Sequence, residues 1–456
     1  MRASRSLASF ALNEFLRSRK HTFTQSSPRD RKARKESRHP VVGQTNMNKH
    51  VFIAVMLVFS VANIDSAQTR KAVSPPAARS AVTTDHRIYD EGTPPALPRA
   101  GGTFADSTFG TTILRVTDES DGTSCSNFYS YWQTFNLDST RLFIACDTSP
   151  KLYRMDPNNF KIAGKEPLFD RPPQGSGYLS AEDAIWSGTS ANELYGYTGL
   201  KLYSYDVASK TYTLIRDFSP ELAGYLGQMS KSLDDNVFAF TKKDSNYKPL
   251  GFLVWRRDQN KILRNTNLLN FDEVQVDKSG RFITVKAKFD RTVDVQVIDL
   301  QTGSVENLTD PAPDFSPGHS DNGRQVVVGY DNWNNQFTIR KLTTPHQFQT
   351  VIGFANDWSQ ANHVSMLADN EAWCVISNYT AGNAPVGPFR NEIFQASTDG
   401  TQKVRRLAHH HSTYRDYWDT PRADISRDGK FIAFTSNWGS ATRRDVFIIK
   451  VPQITP

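Results

Sequence analysis

The sequence predicts an all-β chain folded as a seven-bladed β-propeller, and two observations support this prediction. From about residue 110 onward, a turn containing Asp, Asn or Gly is followed by a β-branched or aromatic strand, most clearly in "ISRDGKFIAFT" at Ile425. The copies are spaced 52, 44, 44, 43, 47 and 59 residues apart, counted between the aligned turn residues Thr140, Asn192, Asn236, Gly280, Gly323, Asn370 and Gly429. A period in the forties with four strands per repeat is typical of propeller blades.

A hydrophobic segment near the N-terminus predicts export. Met47 is followed by a short basic segment, the apolar run Val51–Ala62 and then small residues. This order is typical of a secretory signal peptide, and the run is too short for a stable membrane anchor. We therefore expect residues 47–67 to be a signal peptide, cleaved after Ala62 or Ala67. The mature chain is expected in the periplasm or outside the cell, without a membrane span.

The basic excess of the chain lies at its N-terminus. The whole chain carries a net charge of +7, whereas residues 1–68 alone carry +8 and the remainder −1. No nucleic-acid partner is therefore expected. Two interpretations of residues 1–46 stay open: a non-native extension upstream of the true start, or a disordered basic arm. Residues 68–108, rich in Ala, Pro, Ser and Thr, are predicted to form a flexible linker, and residues 109–453 the propeller.

The two ends of the propeller are predicted to share one blade. The last unit, from Arg422 to Val451, supplies three strands. The segment "TTILRVTD" (Thr111–Asp118) is similar to the fourth strands of other units, such as "VENLTD" and "KVRRLAH". This N-terminal strand would complete the C-terminal blade and close the ring without a long free edge. An open pair of sheets, the alternative, leaves the seven-fold spacing unexplained.

The chain has three cysteines, and none has the spacing of a zinc or thioredoxin motif. Cys125 precedes the first inner strand and Cys146 ends the strand that returns from it, so a hairpin brings the two to the same end. An exported chain permits a disulfide. A Cys125–Cys146 disulfide and two free buried thiols both stay open, and Cys374 is expected in the core.

Candidate site residues occur where the inner strands begin. In propellers, the loops leading into the inner strands open on one face, around a central channel. Seven polar residues fall at or near this level: Gln133, Glu182, Gln228, Glu273, His319, His363 and Arg422. Unpaired charges are costly in a packed core. Two interpretations therefore stay open: a water-filled channel whose side chains pair with one another, or a ligand site.

Aromatic side chains are concentrated in the loops predicted at the same mouth. They lie in "NFYSYWQ" from Asn127, "YDNWNN" from Tyr330 and "YRDYW" from Tyr414. Such side chains combine an apolar face with a polar tip and suit ring-shaped ligands such as sugars, although packing between blades is the alternative role.

The repeat, with "PRADISRDGKFIAFTSN" as its clearest copy, resembles the exported TolB-type and WD-like propellers over nearly the whole mature chain. The resemblance implies the fold far more than an activity. The TolB-type proteins imply a non-catalytic propeller that binds a protein or another component of the cell envelope.

Two further segments resemble the metal-binding pieces of oligogalacturonate lyases, "PGHSD" (Pro317–Asp321) and "DWSQANHVS" (Asp357–Ser365). Those seven-bladed enzymes bind a divalent metal through one histidine and a Gln-x-x-His-x-His group. The resemblance implies that a divalent metal, Mn or Ca, is bound by three residues, His319, Gln360 and His363. Ser365 replaces the final histidine, which leaves three alternatives open: a three-ligand site, a site completed by one of His409–His411, or no metal.

The same resemblance implies a metal-assisted β-elimination on uronate oligosaccharides, in which the metal stabilises the charge formed when the proton α to a carboxylate is removed. The candidate bases are His410, His411 and Tyr131, and Arg422 would hold a carboxylate. The residues expected to bind substrate are Gln133, Glu182, Gln228, Glu273, Asp321 and Trp418. The expected partner is an acidic oligosaccharide or, in the non-catalytic alternative, an envelope protein, and the chain is expected to be a monomer.

Other enzyme classes are excluded by missing motifs. The chain has no Gly-x-Ser-x-Gly elbow, which excludes a propeller-capped serine peptidase, and no phosphate-binding or dinucleotide-binding glycine loop.

Overall fold

The structure is a computed structural model that describes residues 82–147, 149–166, 184–289, 293–308, 319–355, 357–380, 387–440 and 442–453. The predicted N-terminal extension, the predicted signal peptide, residues 68–81 of the predicted linker and Glu182 lie outside these ranges. Within the same ranges, no helix has the length and apolar character needed to cross a bilayer.

The elements of the described chain are almost all β-strands. In chain order they are β1 (Thr103–Ala105), β2 (Thr112–Arg115), β3 (Cys125–Ser126), β4 (Arg141–Cys146), β5 (Ser149–Asp156), β6 (Lys161–Glu166), β7 (Ile185–Trp186), β8 (Glu193–Thr198), β9 (Lys201–Asp206), β10 (Thr211–Asp217), β11 (Tyr225–Lys231), β12 (Val237–Lys243), β13 (Pro249–Arg256), β14 (Lys261–Asn267), β15 (Phe271–Val276), β16 (Phe282–Ala287), β17 (Val295–Asp299), β18 (Val305–Leu308), β19 (Ser320–Asn322), β20 (Val326–Asp331), β21 (Gln336–Lys341), β22 (Phe348–Gly353), β23 (Gln360–Ser365), β24 (Trp373–Thr380), β25 (Glu392–Ser397), β26 (Val404–His409), β27 (Asp424–Ile425), β28 (Phe431–Ser436) and β29 (Asp445–Lys450). Two short 3-10 helices cover Glu119–Asp121 and Tyr417–Asp419.

These strands form seven antiparallel sheets, which confirms the predicted seven-bladed propeller. Blades one to six are the consecutive groups β3–β6, β7–β10, β11–β14, β15–β18, β19–β22 and β23–β26. Blade seven has the order β1-β2-β29-β28-β27. The first strand of each group is the inner strand, and contacts between successive inner strands, such as β15 with β19 and β19 with β23, surround a central channel.

Blade seven is built from both ends of the chain. Strand β2 pairs antiparallel with β29, with Ile113 opposite Ile449, and β1 adds a fifth strand on the outside. Arg115 and Asp445, from the two ends, form a buried 2.7 Å ion pair. Because the sheet combines strands from both ends of the described chain, it holds the ring together where blade seven meets blade one.

The segment that precedes β2 lies against blades six and seven. Thr83 forms a bridge with Arg406 of β26, and the indole of Trp438 donates a 2.8 Å hydrogen bond to the carbonyl of Pro95. Residues 82–108, the second part of the predicted linker, therefore lie against the propeller, and they include β1.

The repeated turn contains the same hydrogen bond in four blades. An oxygen of a polar side chain accepts from the backbone N–H five residues later. The pairs are Asn136 with Arg141 (2.9 Å), Ser232 with Val237 (2.9 Å), Asp277 with Phe282 (2.8 Å) and Ser426 with Phe431 (3.0 Å). In two of these turns a glycine adopts a positive φ, 72° at Gly280 and 71° at Gly429, which costs glycine little. This bond fixes where each second strand begins and explains why Asn, Ser or Asp recurs there.

The middle strands of the blades are buried on both faces because each blade is packed between two neighbours. Every residue of β12, β16 and β28 is buried, whereas β6 on the outside alternates between exposed and half-buried positions. In the sequence, strands that are covered on both faces appear as continuous runs of apolar residues, whereas strands with one exposed face alternate between apolar and polar residues.

A disulfide joins Cys125 and Cys146, which are cross-strand partners in β3 and β4. Cys374 is a free, buried thiol.

Candidate functional site

The inner strands place several predicted site residues around one cavity. Neighbouring strands are antiparallel, so the start of every inner strand lies at the same end as the loop between the second and third strands; we call this end the upper mouth. The channel contains a cavity that is open to solvent. Five predicted residues line it together: Tyr131, Gln133, Gln228, Glu273 and Asp321.

A hydrogen-bonded triad spans this cavity. The hydroxyl of Tyr131 in blade one donates a 2.8 Å bond to Oε2 of Glu273 in blade four. The ammonium of Lys286 donates a 2.6 Å bond to Oε1 of the same carboxylate, and both of these charged side chains are 3% exposed. Burial, and next the Glu273 charge, raise the pKa of Tyr131 well above its ordinary value. Tyr131, predicted as a base, is therefore a protonated donor at neutral pH.

Aromatic side chains connect this triad to the upper mouth. The ring of Tyr129 lies 4.7 Å from the ring of Tyr131, and its hydroxyl is hydrogen-bonded to the hydroxyl of Tyr417. The Tyr417 hydroxyl lies 3.4 Å from Nε2 of His363. We call Tyr131, Tyr129 and Tyr417 the aromatic wall.

Two of the three predicted metal ligands are neighbours. The rings of His319 and His363 have centroids 6.3 Å apart, and both residues are buried. Burial, with smaller contributions from His319 and Arg422, lowers the pKa of His363 well below its ordinary value. His363 is thus neutral at neutral pH, and its Nδ1 has no hydrogen-bond partner among the described residues.

The third predicted ligand, Gln360, has other contacts. Its amide nitrogen donates to Asp357 (2.8 Å) and to the carbonyl of Pro388 (3.0 Å), and its oxygen accepts from Asn378 (2.6 Å). Residues three apart on a strand point to opposite faces, which separates the Gln360 and His363 side chains.

The described residues also contain no group of three or more His, Cys, Asp or Glu side chains able to hold a metal. Ser365, which stands where the Gln-x-x-His-x-His pattern has its final histidine, has a buried Oγ without a hydrogen-bond partner in the described ranges. The donor set is two imidazoles, which is short of the three protein ligands typical of a catalytic metal site.

Arg422 is a buried cation at the upper mouth. It is 0% exposed, and its guanidinium carbon lies 5.8 Å from the Tyr417 ring and 5.3 Å from the Trp418 ring. Nη1 donates to the carbonyl of Tyr417 (3.2 Å) and to Thr420 (3.3 Å). Nε and Nη2 have no hydrogen-bond partner within the described ranges.

A guanidinium stays charged in proteins, and burying a charge without a partner is costly. Burial is the main influence on the pKa of Arg422 and lowers it. The arrangement can therefore accept an anion, which would meet two N–H-bearing nitrogens beside aromatic faces.

Backbone strain occurs at three of the predicted residues. His411 has a φ of 50° and does not line the cavity. Arg422 has a φ of 44° and Gln228 a φ of 25°, in the region that residues other than glycine rarely adopt. Gln228 lies at a register shift between Gly227 and Met229, where a bulge redirects a side chain. Strain of this kind is concentrated at binding and catalytic sites.

The histidine triplet lies elsewhere and does not line the cavity. His410, predicted as a base, has Nε2 3.0 Å from the carbonyl of Asn378 and accepts the N–H of Ser412 on Nδ1 at 2.9 Å. His411, the other predicted base, lies 3.5 Å from Glu91 and against Trp438. His410 is thus bonded to blade six and to the loop that follows it, whereas His411 lies between the N-terminal segment and blade seven.

Some site residues carry no clear signal in the sequence. Tyr129 and Tyr417 belong to the aromatic runs noted above, but their mutual contact joins residues 288 positions apart. Lys286 and Gln275 lie inside strands, where the pattern indicates only a β-strand.

Comparison with known proteins supports the fold and little beyond it. No protein-family model matches the chain, and no curated protein matches it. A solved oligogalacturonate lyase in complex with manganese is similar, with a TM-score of 0.56 and 14% identity over 78% of this chain and 97% of that chain. The oligogalacturonate lyase of Vibrio parahaemolyticus is similar with a TM-score of 0.55 and 13% identity over 77% of this chain and 96% of that one. At such identities the likeness shows a shared propeller fold.

Proposed function

We propose that the upper mouth binds the carboxylate of an acidic oligosaccharide on Arg422 and, in the sharpest form of the proposal, eliminates across its glycosidic bond. The observation that carries the proposal is the fully buried guanidinium whose Nε and Nη2 lack hydrogen-bond partners in the described chain. The shared fold with two oligogalacturonate lyases adds support for a carbohydrate ligand.

A carboxylate at Arg422 would satisfy the buried charge. Guanidinium groups bind carboxylates through two parallel hydrogen bonds of about 2.7–2.9 Å, which adds geometric specificity. The rings of Tyr417 and Trp418 beside the guanidinium supply apolar faces for a sugar ring. A uronate combines the two features that this position can bind.

In a β-elimination, the proton on the carbon α to the carboxylate moves to a base, and the glycosidic oxygen at the β carbon leaves as the double bond forms. Arg422 would stabilise the negative charge that develops on the carboxylate. His363 is the best-placed base, because it is neutral and its Nδ1 has no hydrogen-bond partner among the described residues. A carboxylate bound nearby would raise the pKa of His363, since a negative charge favours the imidazolium.

Tyr417 is a positioning residue in this proposal. Its hydroxyl lies 3.4 Å from Nε2 of His363 and fixes which ring nitrogen faces away. Because the described donors are short of a metal site, none of these steps uses a metal. The proposed site of action is the periplasm or the outside of the cell, as the signal-like segment 47–67 predicts.

An ultraviolet assay tests the reaction, because elimination creates a conjugated, unsaturated sugar. The full chain is incubated with polygalacturonate and other polyuronates, with chelator and with added Mn²⁺ or Ca²⁺. We expect the absorbance to rise with the wild type and not with Arg422→Met. If the absorbance does not rise with any polyuronate or metal, lyase activity is excluded. Binding without a rise leaves a carbohydrate-binding propeller, and no binding leaves the envelope-protein alternative.

A further inference from the structure

The cavity below the upper mouth differs chemically from the Arg422 position, because the lysines at the cavity already form ion pairs with carboxylates. Three lysines line it or lie beside it, and each has a carboxylate partner. The pairs are Lys231 with Asp235 (2.5 Å), Lys278 with Glu371 (2.8 Å) and Lys286 with Glu273 (2.6 Å). Each of these three lysines is therefore already neutralised by a carboxylate.

Two carboxylates also line the cavity, and neither offers an anionic group a partner. Glu273 bonds Lys286 and Tyr131. Asp321 accepts the backbone N–H groups of Asn322 (2.8 Å) and Met366 (2.6 Å), and has no ion pair in the described chain. Both residues are buried. Burial raises the pKa of Asp321 to about 7, and Glu273 is already paired with Lys286. A second carboxylate from a ligand would therefore be buried without a cationic partner, which is costly.

The remaining polar side chains of the cavity carry no charge and include the hydroxyls of Ser230 and Ser232 and several carboxamides. Gln275 is 4% exposed, and neither atom of its amide has a hydrogen-bond partner within the described residues. Oε1 of Gln133 and Oδ1 of Asn322 also lack partners there. Buried polar atoms are nearly always hydrogen-bonded to protein, water or ligand. Donors and acceptors without charge match the hydroxyl groups of a neutral sugar.

The cavity and the Arg422 position are connected by the aromatic wall. Tyr131 lines the cavity. The centroid of the Tyr129 ring lies 4.7 Å from the centroid of the Tyr131 ring. The ring of Tyr417 lies 6.2 Å from that of Tyr129, and the guanidinium carbon of Arg422 lies 5.8 Å from Tyr417. These side chains thus form an unbroken series of contacts between the cavity and Arg422.

We propose that the ligand joins one acidic unit, held by Arg422, to a neutral, hydroxyl-rich sugar unit in the cavity, where Gln275 determines specificity. The inference rests on the proposed function and narrows it. A chain made only of uronates would place its next carboxylate beside Glu273 and Asp321, so it is the disfavoured ligand.

Titration calorimetry on the full chain tests this with two disaccharides of equal length at one ionic strength. One joins a uronate to a neutral sugar, and the other joins two uronates. We expect the mixed disaccharide to bind about tenfold more tightly or better, because burying a carboxylate without a cationic partner is costly. Equal or tighter binding of the diuronate overturns the inference and leaves the proposed function standing. No binding of either overturns both.

Variants separate the role of Gln275 from a general effect on folding. Gln275→Met keeps the side-chain volume and removes the amide. We expect it to lower the affinity for the mixed disaccharide about 3- to 10-fold, which corresponds to the loss of one or two hydrogen bonds. The affinity for the diuronate should fall less. Gln395→Met is the matched control, since Gln395 is buried in β25 and does not line the cavity. Unchanged affinities in Gln275→Met overturn its role. The comparison of ligands on the wild type decides the inference even if the variant fails to fold.

Discussion

Tyr131 of blade one and Glu273 of blade four are joined by a 2.8 Å hydrogen bond across the central channel. These blades are separated by two others along the chain, so the bond fixes the width of the cavity. Lys286 neutralises the same carboxylate from the neighbouring strand of blade four. The triad therefore sets both the shape and the charge of the space into which a ligand would extend.

The triad makes a prediction about stability. Tyr131→Phe removes one donor and leaves the Glu273–Lys286 pair, so the free energy of unfolding should fall by about 1–3 kcal/mol. Lys286→Met leaves a buried carboxylate without its cation and should cost more, about 3–5 kcal/mol. Urea unfolding followed by tryptophan fluorescence measures both. A larger loss of stability in Tyr131→Phe than in Lys286→Met would show that the Glu273–Lys286 pair is hydrated rather than buried.

Arg422 should contribute to binding and not to stability. Arg422→Met should lower the affinity for acidic oligosaccharides about 10- to 100-fold, as expected for the loss of charge-assisted hydrogen bonds. It should leave the free energy of unfolding unchanged or higher. Titration calorimetry and urea unfolding measure the two effects.

The matched control is Arg405→Met, because Arg405 is half-buried over the Trp373 ring at 3.9 Å and does not line the cavity. It should leave ligand affinity unchanged. A large loss of stability in Arg422→Met would identify a structural cation instead.

His410 predicts a specific dependence of stability on pH. Burial lowers its pKa to about 3, against 6.5 ordinarily, so between these values the unfolded chain binds the proton and the folded chain does not. The stability contributed by neutral His410 is therefore lost as the pH falls from about 6.5 toward 3.

A comparison with His410→Gln isolates this effect from the other titrating groups. The stability of the wild type relative to the variant should fall by on the order of 3 kcal/mol between pH 7 and pH 4. Urea unfolding at each pH gives the difference. A difference that does not change with pH would mean that His410 titrates normally in the folded chain.

The disulfide between Cys125 and Cys146 closes a loop with a sequence separation of 21. In the chain-entropy model it should stabilise the propeller by about 3 kcal/mol. A Cys125→Ser, Cys146→Ser double variant should lose this amount in urea unfolding. Reductant should destabilise the wild type alone. Equal sensitivity of both proteins to reductant would contradict the assignment.

The fold was predictable because each blade repeats the same local chemistry. The bond from Asp277 to the N–H of Phe282 is formed within six residues, and so are its equivalents in three other blades. The starts of the inner strands follow from that register, and the structure places Tyr131, Gln133 and Glu273 around one cavity.

The candidate site was predictable only in part, because some of its contacts join distant positions. His411 contacts Glu91 of the N-terminal segment, and no local pattern indicates that this segment covers blade six. Gln360 begins its strand on the face opposite His363 and bonds Asn378 of the next strand. The two side chains were expected to share a metal because the motif resembles a known one, and that motif is incomplete here.

The most direct test of the central claim is a crystal structure of the protein with a short acidic oligosaccharide. Binding at the upper mouth predicts a ligand carboxylate within about 2.7–2.9 Å of Nε or Nη2 of Arg422, with a sugar ring against Trp418 or Tyr417. A ligand bound only on the outer surface, with the Arg422 nitrogens bonded to water or to protein, would contradict it.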